Sequence, residues 1–188
     1  MNIFKKNKSK EEGYLHKAKE FMKNYPQITA EFRGCSENEI LGLENKLNIK
    51  LPEAYKEFLL WFGHSGGKIL RGTDYYYYYI SNEMVEGYIE DEIYREGYTF
   101  KQIGIDLLNR NKFDGEKIMK DSFMFMCHQG YAIEYLNLSE GENPPVYIFV
   151  QQNEWLEKGP TVWAETYSEY LYCMLKDEIN ALKKINQL

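Results

Sequence analysis

Cysteine is scarce and badly placed for pairing. Cys35, Cys127 and Cys173 are odd in number, far apart and free of C-x-x-C spacing, which argues against a disulfide framework and fits a reducing compartment. The chain has no run of about 18 apolar residues, so no membrane span is expected. Its basic start lacks the apolar stretch of a secretory signal, and a cytoplasmic location is the expectation. Proline is rare, at 5 of 188 residues, and neither a Pro-rich linker nor an internal repeat divides the sequence. Histidine is rarer still. His16, His64 and His128 have no second His or Cys at ligand spacing, so a zinc site is unsupported. His128 follows Cys127, but neighbouring strand residues point to opposite faces, which disfavours a Cys–His nucleophile pair. Each histidine reads as a polar surface or turn residue.

Glycine-rich signatures are equally thin. Gly63-His64-Ser65-Gly66-Gly67 lacks the Lys-Ser/Thr ending of a phosphate loop and follows a predicted helix where that loop follows a strand. Ser65 is read as outside a G-x-S-x-G setting, so a serine hydrolase is not indicated. No catalytic residue, metal ligand or cofactor is expected from these patterns. An enzyme of unknown type would need a cleft of clustered, perturbed titratable groups, and the sequence shows no such cluster.

What the chain does have is aromatic residues and carboxylates. Aromatics make up 16% of it, with 17 Tyr, well above what disordered sequence carries. The net charge is −6, which argues against a nucleic-acid binder and allows a basic protein partner. The charge is uneven. Lys5, Lys6, Lys8, Lys10, Lys17, Lys19 and Lys23 make the start basic, and this segment reads as a solvated tail and helix face. Glu83, Glu86, Glu90, Asp91, Glu92 and Glu96 make a later segment acidic, against Arg95 alone. Their spacing imposes neither an acid/base pair nor a metal site. A solvated helix face or a charged docking face remains.

Periodicity orders the elements. Ser9 and Glu12 suggest a helix start, with Leu15, Ala18, Phe21 or Met22, and Tyr25 on one stripe and Pro26 ending it. Residues 26–35 read as a link. Ser36 and Glu39 form a capping box before Ile40, Leu43 and Leu47. Leu51-Pro52 restarts the chain, with Pro suited to a first helical position. Tyr55, Phe58, Leu59 and Phe62 follow as a second apolar stripe, stopped by Gly63 and Gly66-Gly67 through positive φ. Lys68–Leu70 suggests a short strand, Gly72-Thr73-Asp74 a turn, Tyr75–Ile80 a strand, and Asn82 to about Arg95 a helix ended by Gly97. Phe100, Ile103, Leu107 and Leu108 have helical spacing. Asp114-Gly115 marks a turn. Ser122–His128 and Tyr131–Leu136 read as a hairpin, Glu140–Pro145 as a loop, Val146–Gln151 as a third strand and Val162-Trp163 as a short edge strand. Thr166 and Glu169 repeat the capping pattern before a closing helix carrying Leu171, Leu175, Ile179 and Leu182, with Lys183 and Lys184 near its C-terminus. The fold class is α+β, with N-terminal helices, a central antiparallel or mixed sheet and a long C-terminal helix. Trp61, Trp155 and Trp163 read as core anchors.

The stretch from Cys35 to Gly67 also resembles the SMI1/KNR4 family, the SUKH superfamily. The matching residues are Glu39-Ile40 with Glu44, then Leu51-Pro52, Tyr55-Lys56, Phe58-Leu59 and Gly66-Gly67. A weaker match runs through Met84–Tyr88, the strands after Ser122, and Tyr167–Leu171. The resemblance implies an SMI1/KNR4-like domain over 29–188, preceded by a helical extension over 1–28. It also implies a binding module. Bacterial SUKH proteins are widely immunity proteins that neutralise a cognate toxin, while fungal relatives act as regulatory scaffolds in cell-wall signalling. Short length and the absence of long disordered arms favour the bacterial kind, with a scaffold that binds a cellular protein as the alternative. The expected partner is a basic toxin domain such as a nuclease, with neither nucleic acid nor membrane bound. Charge and residue type name the face: Asp74, Tyr75, Tyr77, Tyr79, Glu86, Glu90 and Asp91.

Overall fold

A serine and a glutamate open the central helix pair. In a computed structural model of the protein, which describes residues 13–70, 100–152 and 157–186, helix α3 (Glu37–Leu47) begins with the expected capping box. The Glu39 amide donates to Ser36 Oγ at 3.3 Å, and the Ser36 amide donates to the Glu39 carboxylate at 2.8 Å. Asn48 ends the helix in the left-handed region at φ 52°, which asparagine tolerates better than most side chains. Glu44 is buried, and its carboxylate accepts from the Leu51 amide at 2.8 Å and Lys50 Nζ at 3.2 Å. This one side chain ties α3 to the start of α4 (Glu53–Phe62).

Helix α4 is flanked by Pro52 at its N-cap, one step before the expected first helical position, and it buries Ala54, Tyr55, Phe58, Leu59 and Phe62. Its glycine stop works differently from the sequence expectation. Gly63 keeps an ordinary φ of −61°. What demands glycine there is space: a Cβ would lie 2.7 Å from Leu59 and 2.8 Å from Cys35 Sγ. The left-handed residue of the turn is Gly67, at φ 63°. The expected strand at Lys68–Leu70 is instead turn and bend, with Leu70 at φ 52° and its amide donating to Glu178 at 3.2 Å.

Two helices precede this pair, α1 (His16–Met22) and α2 (Pro26–Thr29). Pro26 does end the first run, but it also opens α2, since proline's fixed φ and missing donor suit a helix start. The link expected over 26–35 is therefore partly helical. Leu15, Ala18, Met22 and Ile28 join the same hydrophobic cluster as the rest of the core.

The sheet has order β1-β2-β3-β4, all pairs antiparallel: β1 (Ser122–His128), β2 (Ala132–Asn137), β3 (Val146–Val150) and β4 (Thr161–Ala164). A bulge lies in β1 between Met124 and Met126. The closing helix α7 (Tyr167–Lys184) and α4 cover one face. There Tyr55 packs edge-on to Phe123 and to Tyr167, and Phe125 edge-on to Tyr167 and Tyr170. Helix α5 (Phe100–Arg110) covers the other face over β1 and β2. Gly104 sits so close that a Cβ would meet Met124 Sδ at 3.0 Å and Ile133 Cδ1 at 3.4 Å. Coverage on both sides explains why β1 shows no alternation in the sequence, since strands buried on both faces read as continuous apolar runs. Asp114-Gly115, expected as a turn, starts the short helix α6 (Gly115–Met119), because the Asp114 carboxylate accepts from the Lys117 amide at 3.0 Å and so caps it. A 3₁₀ turn (Leu138–Glu140) follows β2. The expected tyrosine strand and the acidic helix after it lie outside the described residues.

Candidate partner-binding surface

Asp74, Tyr75, Tyr77, Tyr79, Glu86, Glu90 and Asp91 all lie outside the described residues. Among the described residues, the surface with the features of a docking site is the β4 end of the sheet. Strand β4 pairs with β3 and forms one end of the strand order. It is short and uncharged, Thr161-Val162-Trp163-Ala164. Val162 is 45% exposed and Trp163 is 40% exposed. Trp163 is thus not the core anchor expected from the sequence. Edge position puts half of its ring in solvent, while the other side meets Tyr170 of α7 edge-on at 6.1 Å.

Beneath Trp163 lies a carboxylate. Glu134 on β2 is 3% exposed. The Tyr170 hydroxyl donates to its Oε2, and the Trp163 side chain is near enough to act on the same carboxyl group. Burial pushes the Glu134 pKa up from 4.5 to about 7, against the lowering influence of Tyr170 and Trp163. A buried ion without a counter-charge is costly, and taking up a proton relieves that cost. Tyr170 therefore joins the three elements: it donates to Glu134 of the central strand and packs edge-on against Trp163 of the edge strand. Sequence reasoning passed over Glu134. Its signal was a lone acid inside the apolar run Ala132–Leu136.

The opposite face of the edge carries a tyrosine pair. Tyr135 and Tyr147 stack with centroids 5.3 Å apart, and Tyr147 is the register partner of Val162. The Tyr147 hydroxyl donates to the Glu140 carboxylate at 3.0 Å. Burial raises the Tyr147 pKa, helped by the hydrogen bond to Glu140 and by the charges of Glu140 and Glu165. Two carboxylates therefore stand at the rim of the exposed apolar patch.

The other chemistry-bearing side chains have structural work. Burial pushes the Cys35 thiol up to about 12, which leaves it protonated and unreactive at neutral pH. Contrary to the sequence expectation, residues 63–67 do spell Gly-x-Ser-x-Gly, but the turn follows helix α4 and not a strand. Ser65 Oγ accepts from the Gly67 amide at 3.0 Å, and His64 Nε2 lies 2.9 Å from Glu39 Oε1. The Ser65 backbone bridges Arg33. His128 packs edge-on to Tyr131 at the hairpin. No group of three or more His, Cys, Asp or Glu side chains among the described residues is arranged to hold a metal ion. No described helix is long and apolar enough to cross a membrane.

Comparison with protein families finds a match to the SMI1 / KNR4 family (SUKH-1) over residues 34–172. That span holds α3 and α4, α5 and α6, the whole sheet and the first turn of α7. No curated protein matches the chain.

Proposed function

The chain belongs to the SMI1/KNR4 family, and from that premise we propose that it is a non-catalytic binding protein, a bacterial immunity protein that neutralises a cognate toxin by occlusion. The family match is the observation that carries this reading. The composition agrees with it: an acidic, tyrosine-rich chain with net charge −6 suits a basic toxin domain such as a nuclease. Carboxylates there mimic phosphate charge and speed association, while buried aromatic anchors hold the complex. The site of action is in the cytoplasm, where such a toxin would attack its own producer.

The proposed face comprises Asp74, Tyr75, Tyr77, Tyr79, Glu86, Glu90 and Asp91, drawn from charge and residue type. Sequencing the genes on either side of this one, and co-expressing any toxin gene encoded there with this chain, tests the function. Growth should be restored by the wild-type chain. Joint replacement of Tyr77 and Glu90 should weaken toxin binding while leaving the thermal unfolding transition in place. Unchanged affinity in that variant would remove those residues from the interface. Absence of any toxin gene nearby, with a cellular protein bound instead, would favour a regulatory scaffold.

A further inference from the structure

We infer that the β4 edge is a second contact surface, which accepts an extended, lysine- or arginine-bearing segment of a partner protein as an added strand. The inference rests on the reading that this chain recognises a basic protein, and it adds a site outside the 74–91 face. An edge strand presents unpaired amide and carbonyl groups, which natural proteins guard with charges, proline, bulges or short length. Thr161–Ala164 carries no charge or proline; it is four residues long with one register shift against β3, so it offers room for a short added strand, with Val162 and Trp163 exposed to solvent. Strand addition supplies backbone hydrogen bonds, and alternate side chains of the added strand fall on alternate faces. One set would meet Val162 and Tyr147, the other Trp163.

Charge decides what the added strand carries. Lys158 is the only cation in sequence between Tyr131 and Tyr170. Glu140 and Glu165 act electrostatically on the Tyr147 hydroxyl beside Val162. Such a rim repels nucleic acid and an anionic membrane. It also disfavours a second copy of this chain, which would bring the same carboxylates to face themselves. A basic segment meets complementary charge instead. Trp163 packs edge-on against Tyr170 of α7, so part of its rotamer freedom is already lost before binding.

The probe is a blocked synthetic peptide of alternating lysine and valine, titrated into the isotope-labelled full chain and followed by amide chemical shifts. The expected result is shifts centred on Thr161–Ala164 and on the Trp163 indole N–H, with affinity falling as salt is raised. Glu165→Lys and Val162→Lys should each weaken binding by about tenfold, the scale of losing one favourable charged or apolar contact, with circular dichroism unchanged. Absence of shifts at these residues overturns the inference. So does equal binding of the glutamate–valine peptide, or concentration-dependent self-association through β4 in the free protein. A chain that binds the peptide at β4 yet fails to neutralise any toxin would leave this surface standing and sink the immunity reading alone.

Discussion

Glu134 is the residue whose surroundings say most about its behaviour. Its carboxyl group is buried, faces Tyr170 and Trp163, and has its pKa raised from 4.5 to about 7. Between those values the folded protein holds a proton that the unfolded chain has released. Stability therefore falls as pH rises through this window and is highest for this group below it. A shift of this size corresponds to about 3 kcal/mol. Glu134→Gln keeps an oxygen to accept from Tyr170 while removing the ionisation. Urea unfolding should find the variant more stable than wild type by up to ~3 kcal/mol at pH near 8, with little difference near pH 4.5. Equal pH slopes in the two proteins would show that Glu134 stays ionised in the fold. None of this was legible in the sequence, because the partners lie about thirty residues further on, the Tyr170 hydroxyl 36 positions away. An acid in a strand acquires meaning only when the fold decides what covers it. Glu39 and Ser36 were legible, since a capping box is closed within one turn of chain.

At the scale of elements, one loop holds two helix starts. Residues after the 3₁₀ turn reach α4, where the Glu53 amide donates to the Glu142 carboxylate at 3.0 Å and the Ala54 amide to the Glu142 carbonyl at 2.9 Å. The next residue reaches α7: Asn143 Oδ1 accepts from the Ser168 amide at 2.9 Å, and its Nδ2 donates to Ser168 Oγ at 2.9 Å. The Tyr167 amide donates to the Pro144 carbonyl at 2.7 Å. Orphan amides of both helices are thus satisfied from a third element. The Thr166 hydroxyl adds a cap of its own, accepting from the Glu169 amide at 3.2 Å. Asn143→Ala should cost about 1 kcal/mol, the usual worth of a helix cap. It should also speed amide exchange at Ser168 and Tyr170 more than at Leu175. Uniform acceleration along α7 would indicate global loss rather than a frayed start. The helices and strands themselves were readable, because stripe spacing and alternation are local. Helix α6 was not, because Asp-Gly opens a turn and caps a helix by the same carboxylate-to-amide bond. The second cover on the sheet was not either, since which face α5 meets depends on tertiary packing.

For the molecule as a whole, the described part of the basic start, from Tyr14 to Lys19, is tied to the later helices. The Glu57 carboxylate of α4 accepts from the Tyr14 amide at 2.6 Å, the Leu15 amide at 3.1 Å and Lys19 Nζ at 3.3 Å. Lys17 lies over the Tyr172 ring at 4.0 Å, and Lys183 reaches the Tyr25 hydroxyl at 3.0 Å. Lys17, which read as part of a solvated face, therefore packs on an aromatic ring, a contact worth about 0.5–1 kcal/mol at exposed sites. Family membership was legible from the helix, Leu-Pro, helix and Gly-Gly order, and the match over residues 34–172 agrees with it. The partner surface was legible only as composition. Val162-Trp163 was legible as a short edge strand, and β4 does end the strand order; what was not legible is that Trp163 is exposed there rather than anchored in the core.

The central claim is that this chain binds and silences a basic toxin. The most direct test is recovery of the partner from the native host with this protein as bait, at low and at raised salt, followed by assay of the recovered partner's activity with and without the bait. The account predicts one basic toxin domain, bound less tightly as salt increases and inactive when mixed with an equal amount of this protein. Ordinary cellular proteins in its place, or a recovered toxin that stays active in the complex, would contradict it.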